Sequence, residues 1–178
     1  MRFFTSDTHF GHANIIAHCK RPFKDVEEMD EEMIRRWNAI VGPNDAVFHM
    51  GDFTYHNATK TKEIVSRLNG TIVLVEGNHD KKPCRFFGAV LKSGTVTFAG
   101  DIGDVQMSHY PYIGTDYDDY GRDFSRLQLD DKGDWLLHGH VHCLWKRKNR
   151  MINVGVDQWA FAPVSEQELV DFILGEGL

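Results

Sequence analysis

Residues of metal-ligating type recur at short, fixed spacings along the chain. Asp7 and His9 flank Thr8, Asp52 follows Gly51, and Asn78 and His79 stand within Gly77-Asn78-His79-Asp80. His109 lies in Ser-His-Tyr-Pro, and His140 and His142 flank Val141. A carboxylate has two oxygens and can bridge two cations. Asn offers a neutral carbonyl oxygen, and imidazole is the commonest side-chain metal ligand. Nitrogen and oxygen donors without thiolate suit Mn, Fe, Zn or Ni in a hydrolytic site better than a structural zinc site, which favours Cys. Two such ions about 3.5–4 Å apart polarise phosphoryl oxygens and generate hydroxide near neutral pH. His79 fits the part of a proton donor, with Asp80 orienting its ring. A spacing of two on an extended chain points Asp7 and His9, or His140 and His142, the same way.

The elements that must hold these residues can be read from the pattern. Residues 1–6 form a short apolar run ending at Asp7, followed by a loop and a short helical stretch near 13–19. Val26, Met29, Met33, Ile34, Trp37 and Ile40 have helical spacing, after Asp25 and Glu28 placed as in a capping box. Residues 46–50 read as a strand, 59–68 as a helix closed by Asn69-Gly70, and 71–75 as a strand. Strands near 95–99 and 104–108 precede an acidic, tyrosine-rich loop over 111–125. Strands at 135–137 and 151–156 follow, and Ser165-Glu166-Gln167-Glu168 is a capping box opening a helix to about Leu174. Five β-runs each end in a candidate ligand, and in α/β sheets sites gather beyond the carboxyl ends of strands.

Composition narrows the partners. The 178 residues suit one domain spanning 1–178, with 42% apolar and 26% charged residues. A net charge of −6 argues against an extended nucleic-acid surface, which needs a basic face, but not against a small phosphorylated substrate such as a nucleotide. Cys19, Cys84 and Cys143 read as reduced thiols of a cytoplasmic protein, and neither a signal-peptide core nor a run of membrane-spanning length is expected. His49 and His138 are expected to pack within strands. Lys146–Arg150 is expected as a hairpin turn able to guide an anion, and Lys81 and Lys82 carry the same two readings. His12 has a substrate-facing and a capping reading. Arg122 and Arg126, in the loop after His109, have a phosphate-binding and a solvated ion-pair reading.

In order and wording, Asp7-x-His9, Gly51-Asp52, Gly77-Asn78-His79-Asp80, His109 and Gly139-His140-x-His142 resemble the calcineurin-like metallophosphoesterase superfamily, over residues 7–142. The stretches Phe4–Ile16 and Asn153-Val-Gly-Val-Asp157 resemble its small bacterial and phage members. The resemblance implies an α/β fold, a four-layer α/β/β/α sandwich of two mixed sheets flanked by helices. It implies one divalent transition-metal ion on Asp7, His9, Asp52 and His142 and another on Asp52, Asn78, His109 and His140. Asp52 and a hydroxide would bridge them; the hydroxide would attack phosphorus and His79 would protonate the leaving group. The protein-phosphatase pattern Gly-Asp-x-x-Asp-Arg-Gly is replaced here by Gly51-Asp52-Phe53-Thr54-Tyr55-His56-Asn57, which weakens that reading. The expectation is a phosphoesterase, with diester favoured over monoester. The alternatives are a metal-binding scaffold without turnover and a nuclease on short nucleic acids.

Overall fold

The computed structural model describes residues 1–80, 86–98, 100–117 and 122–175. Lys81, Lys82, Cys84 and the centre of the 111–125 loop lie outside the described residues. The elements are β1 (Arg2–Thr5), α1 (Ala13–His18), α2 (Val26–Ile40), β2 (Ala46–His49), α3 (Ala58–Arg67), β3 (Thr71–Val75), β4 (Ala89–Leu91), β5 (Gly94–Phe98), β6 (Gly103–Met107), β7 (Trp135–His138), β8 (Arg147–Lys148), β9 (Met151–Asn153), β10 (Val164–Ser165) and α4 (Glu166–Leu174).

Strands alternating with helices can pair in parallel, because the helix supplies the crossover. β1, β2 and β3 do so, β4 joins β3 in parallel, and β10 adds to β1 antiparallel, giving a sheet in the order β10-β1-β2-β3-β4. The second sheet runs β5-β6-β7-β9-β8, parallel through β6, β7 and β9 and antiparallel at both edges. The fold is therefore α/β with two mixed five-stranded sheets, as expected.

Side-chain alternation along the strands sorts the core into layers. Phe3, Val47, Ile72 and Leu74 face Met29, Met33, Trp37 and Ile64 of α2 and α3. Phe4 and Val75 point the other way and meet Val96, Val105, Met107, Leu137 and Ile152 between the sheets, where α4 adds Leu169 and Ile173. On the outer face of the second sheet, Leu136 and Met151 lie under Tyr112, Leu129 and Trp145. Each buried large apolar side chain contributes roughly 1.5–3 kcal/mol.

The register serves the site. Thr5 pairs with His49, and His49 with Leu74, so β1, β2 and β3 end together. A parallel bridge between Ser6 and Gly155 ties the end of β1 to the segment after β9. The carboxyl ends of the parallel strands of both sheets thereby converge on one edge.

Local signals were largely met. Ser165 and Glu168 form the reciprocal capping box that opens α4. Asp25 caps Glu28 N, but Glu28 Oε2 accepts from Lys24 N rather than Asp25 N, so the second half of that box falls one residue early. The 151–156 strand stops at Asn153 and a single 3₁₀ turn follows. β4 and β10 are edge strands of three and two residues with no sequence pattern of their own. Residues 146–150 do form a hairpin, in which Lys146 Nζ sits 3.6 Å from the Trp159 ring centroid and Arg147 Cζ 4.8 Å from that of Trp135. These cations lie against Trp135 of the second sheet, Trp159 after the 3₁₀ turn and Phe172 of α4, which disfavours the anion-guiding reading.

His49 and His138 are fully buried, and burial pushes each pKa down to about 3. Thr8 Oγ1 donates to the Phe53 carbonyl, so His49 Nε2 donates to Thr8 Oγ1 and the ring is neutral. A histidine whose folded pKa is depressed stabilises the protein fully above its unfolded pKa, near 6.5. That contribution is lost as pH falls from there toward 3. Between pH 6.5 and 5 each such ring costs about 2 kcal/mol. Denaturant titrations at pH 8 and pH 5 should therefore show a smaller acid-induced loss in His49→Gln than in wild type, whatever its stability at pH 8; an equal loss would contradict a neutral buried ring.

Candidate metal centre

The residues singled out from sequence meet at the edge where the strands end. Asp7 and His9 follow β1, Asp52 follows β2, Asn78 and His79 follow β3, His109 follows β6, and His140 and His142 follow β7. Asp7, His9, Asp52, His109 and His140 are buried, while His142 and Asn78 are half-buried. Each short spacing is held by a mechanism other than the one expected. Asp7, His9, Asp52, His140 and His142 all have positive φ, between 46° and 70°. The chain at these points is left-handed, not extended, at a cost of roughly 1–2 kcal/mol per residue. Strain of this kind persists only where surrounding bonds over-determine it. Asp7 N donates to the Gly51 carbonyl, His9 N to the Asp52 carbonyl, and His140 N to Asp7 Oδ2.

Two glycines let the loops close. Gly51 has φ +91°, and a Cβ there would meet Gly77 and the His109 ring. A Cβ on Gly139 would fall on Ser6 Oγ and Asp7 Oδ2.

The donors form two overlapping groups around Asp52. Asp52 Oδ2 lies 3.5 Å from His9 Nε2 and 3.7 Å from His109 Nε2. On one side, Asp7, His9 and His142 each offer an atom within 4.8 Å of the others. On the other, His109 Nε2 lies 3.0 Å from Asn78 Oδ1 and 3.2 Å from His140 Nδ1. His109 Nδ1 is 2.7 Å from the Met50 carbonyl, which can only accept, so Nδ1 carries the proton and Nε2 presents a lone pair.

Whether these donors fit a metal is decided by what else satisfies them. Asp7 Oδ1, both ring nitrogens of His9 and Nδ1 of His142 are buried without a hydrogen-bond partner. Such groups cost about 1–3 kcal/mol each when left unpaired. A divalent cation coordinated by them removes that penalty, so the residues fit the group. Electrostatics agree. Burial, reinforced by Asp7 and Asp80, raises Asp52 to about 7 despite the opposing effect of His109. Burial holds His9 well below its usual value and His140 down to about 2. The His9 and His140 imidazoles are thus neutral lone-pair donors.

The surrounding residues contain a correction and an addition. Asp80 does not orient His79: its carboxylate accepts from the backbone N–H groups of Asp52 (2.7 Å), Gly77 (2.9 Å) and Phe53 (3.1 Å). It braces the loop that carries Asp52. The His79 ring instead meets the Tyr55 hydroxyl, 2.6 Å from Nδ1. Arg21, buried, forms a two-pronged ion pair with Asp157 and also donates to the carbonyls of Asp7 and Thr8. Asp157 Oδ2 lies 3.7 Å from His142 Nδ1. Burial opposes ionisation of both, yet Asp7 and Asp157 raise His142, and His142 and Arg21 lower Asp157. Arg21 stood outside every sequence motif, and its partner is 136 residues away.

A cavity of about 320 Å³ opens over the donors, with Asp52, His9, Asn78, His140 and His142 in its lining and His79 beside them. His12, Arg122 and Tyr117 line it too, as do His18 and Cys143. Arg126 is exposed outside this lining.

Residues 2–166 match the model of the calcineurin-like phosphoesterase superfamily domain. An uncharacterised protein of Methanocaldococcus jannaschii is 34% identical, with 96% of this chain and 90% of the relative covered. The Gene 66 protein of Mycobacterium phage L5 is 31% identical, over 96% of this chain and 92% of its own length. A crystal structure of a protein of unknown function from Aquifex aeolicus superposes with a TM-score of 0.75 at 28% identity, covering 97% of this chain and 98% of that one.

Asp157 lies 3.7 Å from the same His142 nitrogen that faces Asp7, and it pairs with Arg21 beneath the Asp7 loop; removing an outer partner of that kind weakens metal affinity by about 10–100-fold. Calorimetric titration of Asp157→Asn with Mn²⁺ or Zn²⁺ should show that loss at one binding event, leaving the other within about twofold. Two unchanged events would remove Asp157 from the account.

Proposed function

The chain belongs to the calcineurin-like phosphoesterase superfamily, and from that premise we propose that it hydrolyses a small phosphodiester with two divalent transition-metal ions. Asp7, His9, Asp52 and His142 would hold one ion. Asp52, Asn78, His109 and His140 would hold the other, with Asp52 common to both. The observation that carries this reading is the gathering of two donor groups about Asp52, one of them with buried atoms that have no hydrogen-bond partner, beside a cavity lined by His79. When bound, the ions supply Lewis acidity toward phosphoryl oxygens and lower the pKa of water.

The chain's own residues supply position and protons. The left-handed loops fix the donors before substrate arrives, so reorganisation at the moment of reaction is small. His79 lies at the cavity but outside the two donor groups, with Nε2 3.8 Å from Asp52 Oδ2. That position suits a proton donor to the departing oxygen, worth typically 10²–10⁴-fold in rate. An alkoxide leaving group, as in most biological diesters, is a strong base and gains most from such a proton. Arg122 and His12 in the wall are suited to the remaining phosphoryl oxygen or the organic substituent.

Among the described residues no helix is long and apolar enough to cross a membrane.

A panel of p-nitrophenyl phosphate, bis-p-nitrophenyl phosphate and 2′,3′-cyclic nucleotides, run with Mn²⁺, Zn²⁺, Ni²⁺ and Fe²⁺, tests this reading. Metal-dependent turnover with preference for a diester is expected, and preference for the monoester would reassign the substrate class. His79→Ala should keep its metal and lose roughly 10²-fold or more in kcat on the cyclic nucleotides. Unchanged turnover would remove His79 as the acid.

A further inference from the structure

Cys19 and Cys143 border the metal centre, and neither takes part in the two donor groups around Asp52. Beside Cys19, donors from three segments meet: Cys19 after α1, His142 after β7 and Asp157 after β9 each offer an atom within 4.8 Å of the others. From this geometry we propose that Cys19, His142 and Asp157 form a site for a soft metal ion such as Cd²⁺, which competes with the first of the two catalytic ions for His142. This rests on His142 holding that first ion.

His142 Nδ1 stands between two carboxylates, 3.9 Å from Asp7 Oδ1 and 3.7 Å from Asp157 Oδ2. It is buried and has no hydrogen-bond partner. A ring nitrogen has one lone pair, so it serves an ion on the Asp7 side or an ion on the Asp157 side, not both. The two sides differ in chemistry. Asp7, His9 and Asp52 offer only oxygen and nitrogen, which suits an ion such as Mn²⁺, whereas the Asp157 side adds sulfur, which selects soft ions. Arg21 sharpens the difference. Its Nε and Nη2 each donate to one Asp157 oxygen at 2.9 Å. Each oxygen keeps a further lone pair for a metal, but the guanidinium charge opposes a cation held by carboxylate and imidazole alone. Binding therefore needs the negative charge of the thiolate. As the sulfur–metal bond forms, the thiol proton of Cys19 passes to solvent and its electron pair stays on sulfur.

The backbone holds these donors together. Cys19 N donates to the Ile15 carbonyl at the end of α1 (2.9 Å). The His142 carbonyl accepts from Asn153 Nδ2 (2.7 Å) and Gln158 Nε2 (2.9 Å), which ties the loop after β7 to the turn that bears Asp157. The site also has an entrance. Cys143 is exposed, lines the cavity and lies beside Cys19. A soft ion arriving in the cavity meets that thiol first and passes inward to Cys19. Once there it draws His142 away from the first catalytic ion, and turnover falls because that ion is lost.

The test uses the Mn²⁺-loaded full chain carrying Cys84→Ser and Cys143→Ser, which leaves Cys19 as its only cysteine. Titration with Cd²⁺ should raise the ultraviolet charge-transfer band of a cadmium thiolate, saturating at one equivalent. In step with the band, one equivalent of Mn²⁺ should appear as the free aqua ion by electron paramagnetic resonance. Adding Cys19→Ser should leave Mn²⁺ affinity within about twofold, and should raise the Cd²⁺ needed to release Mn²⁺ by at least the roughly 10–100-fold that an outer partner of a metal is worth. Release of Mn²⁺ at the same Cd²⁺ concentration with and without Cys19 would mean direct exchange among the donors around Asp52, and would overturn the proposal. A thiolate band without Mn²⁺ release would put the soft ion apart from His142 and overturn it equally, with the two-ion reading left standing. Failure of the wild-type chain to bind Mn²⁺ at all would remove the first ion, and the competition with it.

Discussion

Burying Asp7 and Asp52 with carboxylate oxygens within 4.8 Å of each other sets two negative charges against one another out of water. At an effective dielectric of about 20 the repulsion is roughly 3–4 kcal/mol. Neutralising the carboxylates with protons is one escape, and Asp52 shows it: burial first, and Asp7 after it, raise its pKa to about 7. A cation is the other, and the rest of the edge is arranged for it. The nearby imidazoles of His9 and His140 are kept neutral by burial, and His109 turns a lone pair inward because Met50 takes its other nitrogen. Arg21 is a built-in positive charge beneath Asp7, but it bonds backbone carbonyls and Asp157, not the Asp7 carboxylate. It stiffens the loop without filling the place of the ion.

This constraint explains why the loops are strained and why the sheets are joined where they are. Five donors sit in left-handed backbone, which a loop free of the sheets would abandon. The strand register and the Ser6–Gly155 bridge hold both halves of the ligand set at fixed separation. Asp80, with three backbone N–H groups on its carboxylate, locks Asp52 to the loop after β3. Stability in the two cores is thus converted into a rigid, electrostatically incomplete edge.

Much of this was legible in sequence for a physical reason. Ligand type, strand ends and helix caps are local properties, so Asp7, Asp52, Asn78, His109 and His142 could be marked before any fold was known, as could α2 and α4. What was not legible is non-local or depends on backbone detail. The left-handed φ values at Asp7 and His142 are imposed by cross-loop hydrogen bonds, and nothing in a non-glycine residue advertises them. Asp80 beside His79 in sequence suggests a pair, but the turn carries its carboxylate under the backbone instead. Arg21 and Asp157 read as ordinary charges until 136 residues of chain bring them together. β4 and β10 are too short to have a period, and pairing partners alone define them.

The claim on which all of this depends is that the two groups of donors are a place for two cations sharing Asp52. Anomalous diffraction from crystals soaked in Mn²⁺ or Zn²⁺ tests it directly. The account predicts two peaks about 3.5–4 Å apart, one among Asp7, His9 and His142 and one among Asn78, His109 and His140, with Asp52 between them. A single peak displaced to Cys19, His142 and Asp157, the other group of potential ligands near this edge, or no peak at all, would contradict it.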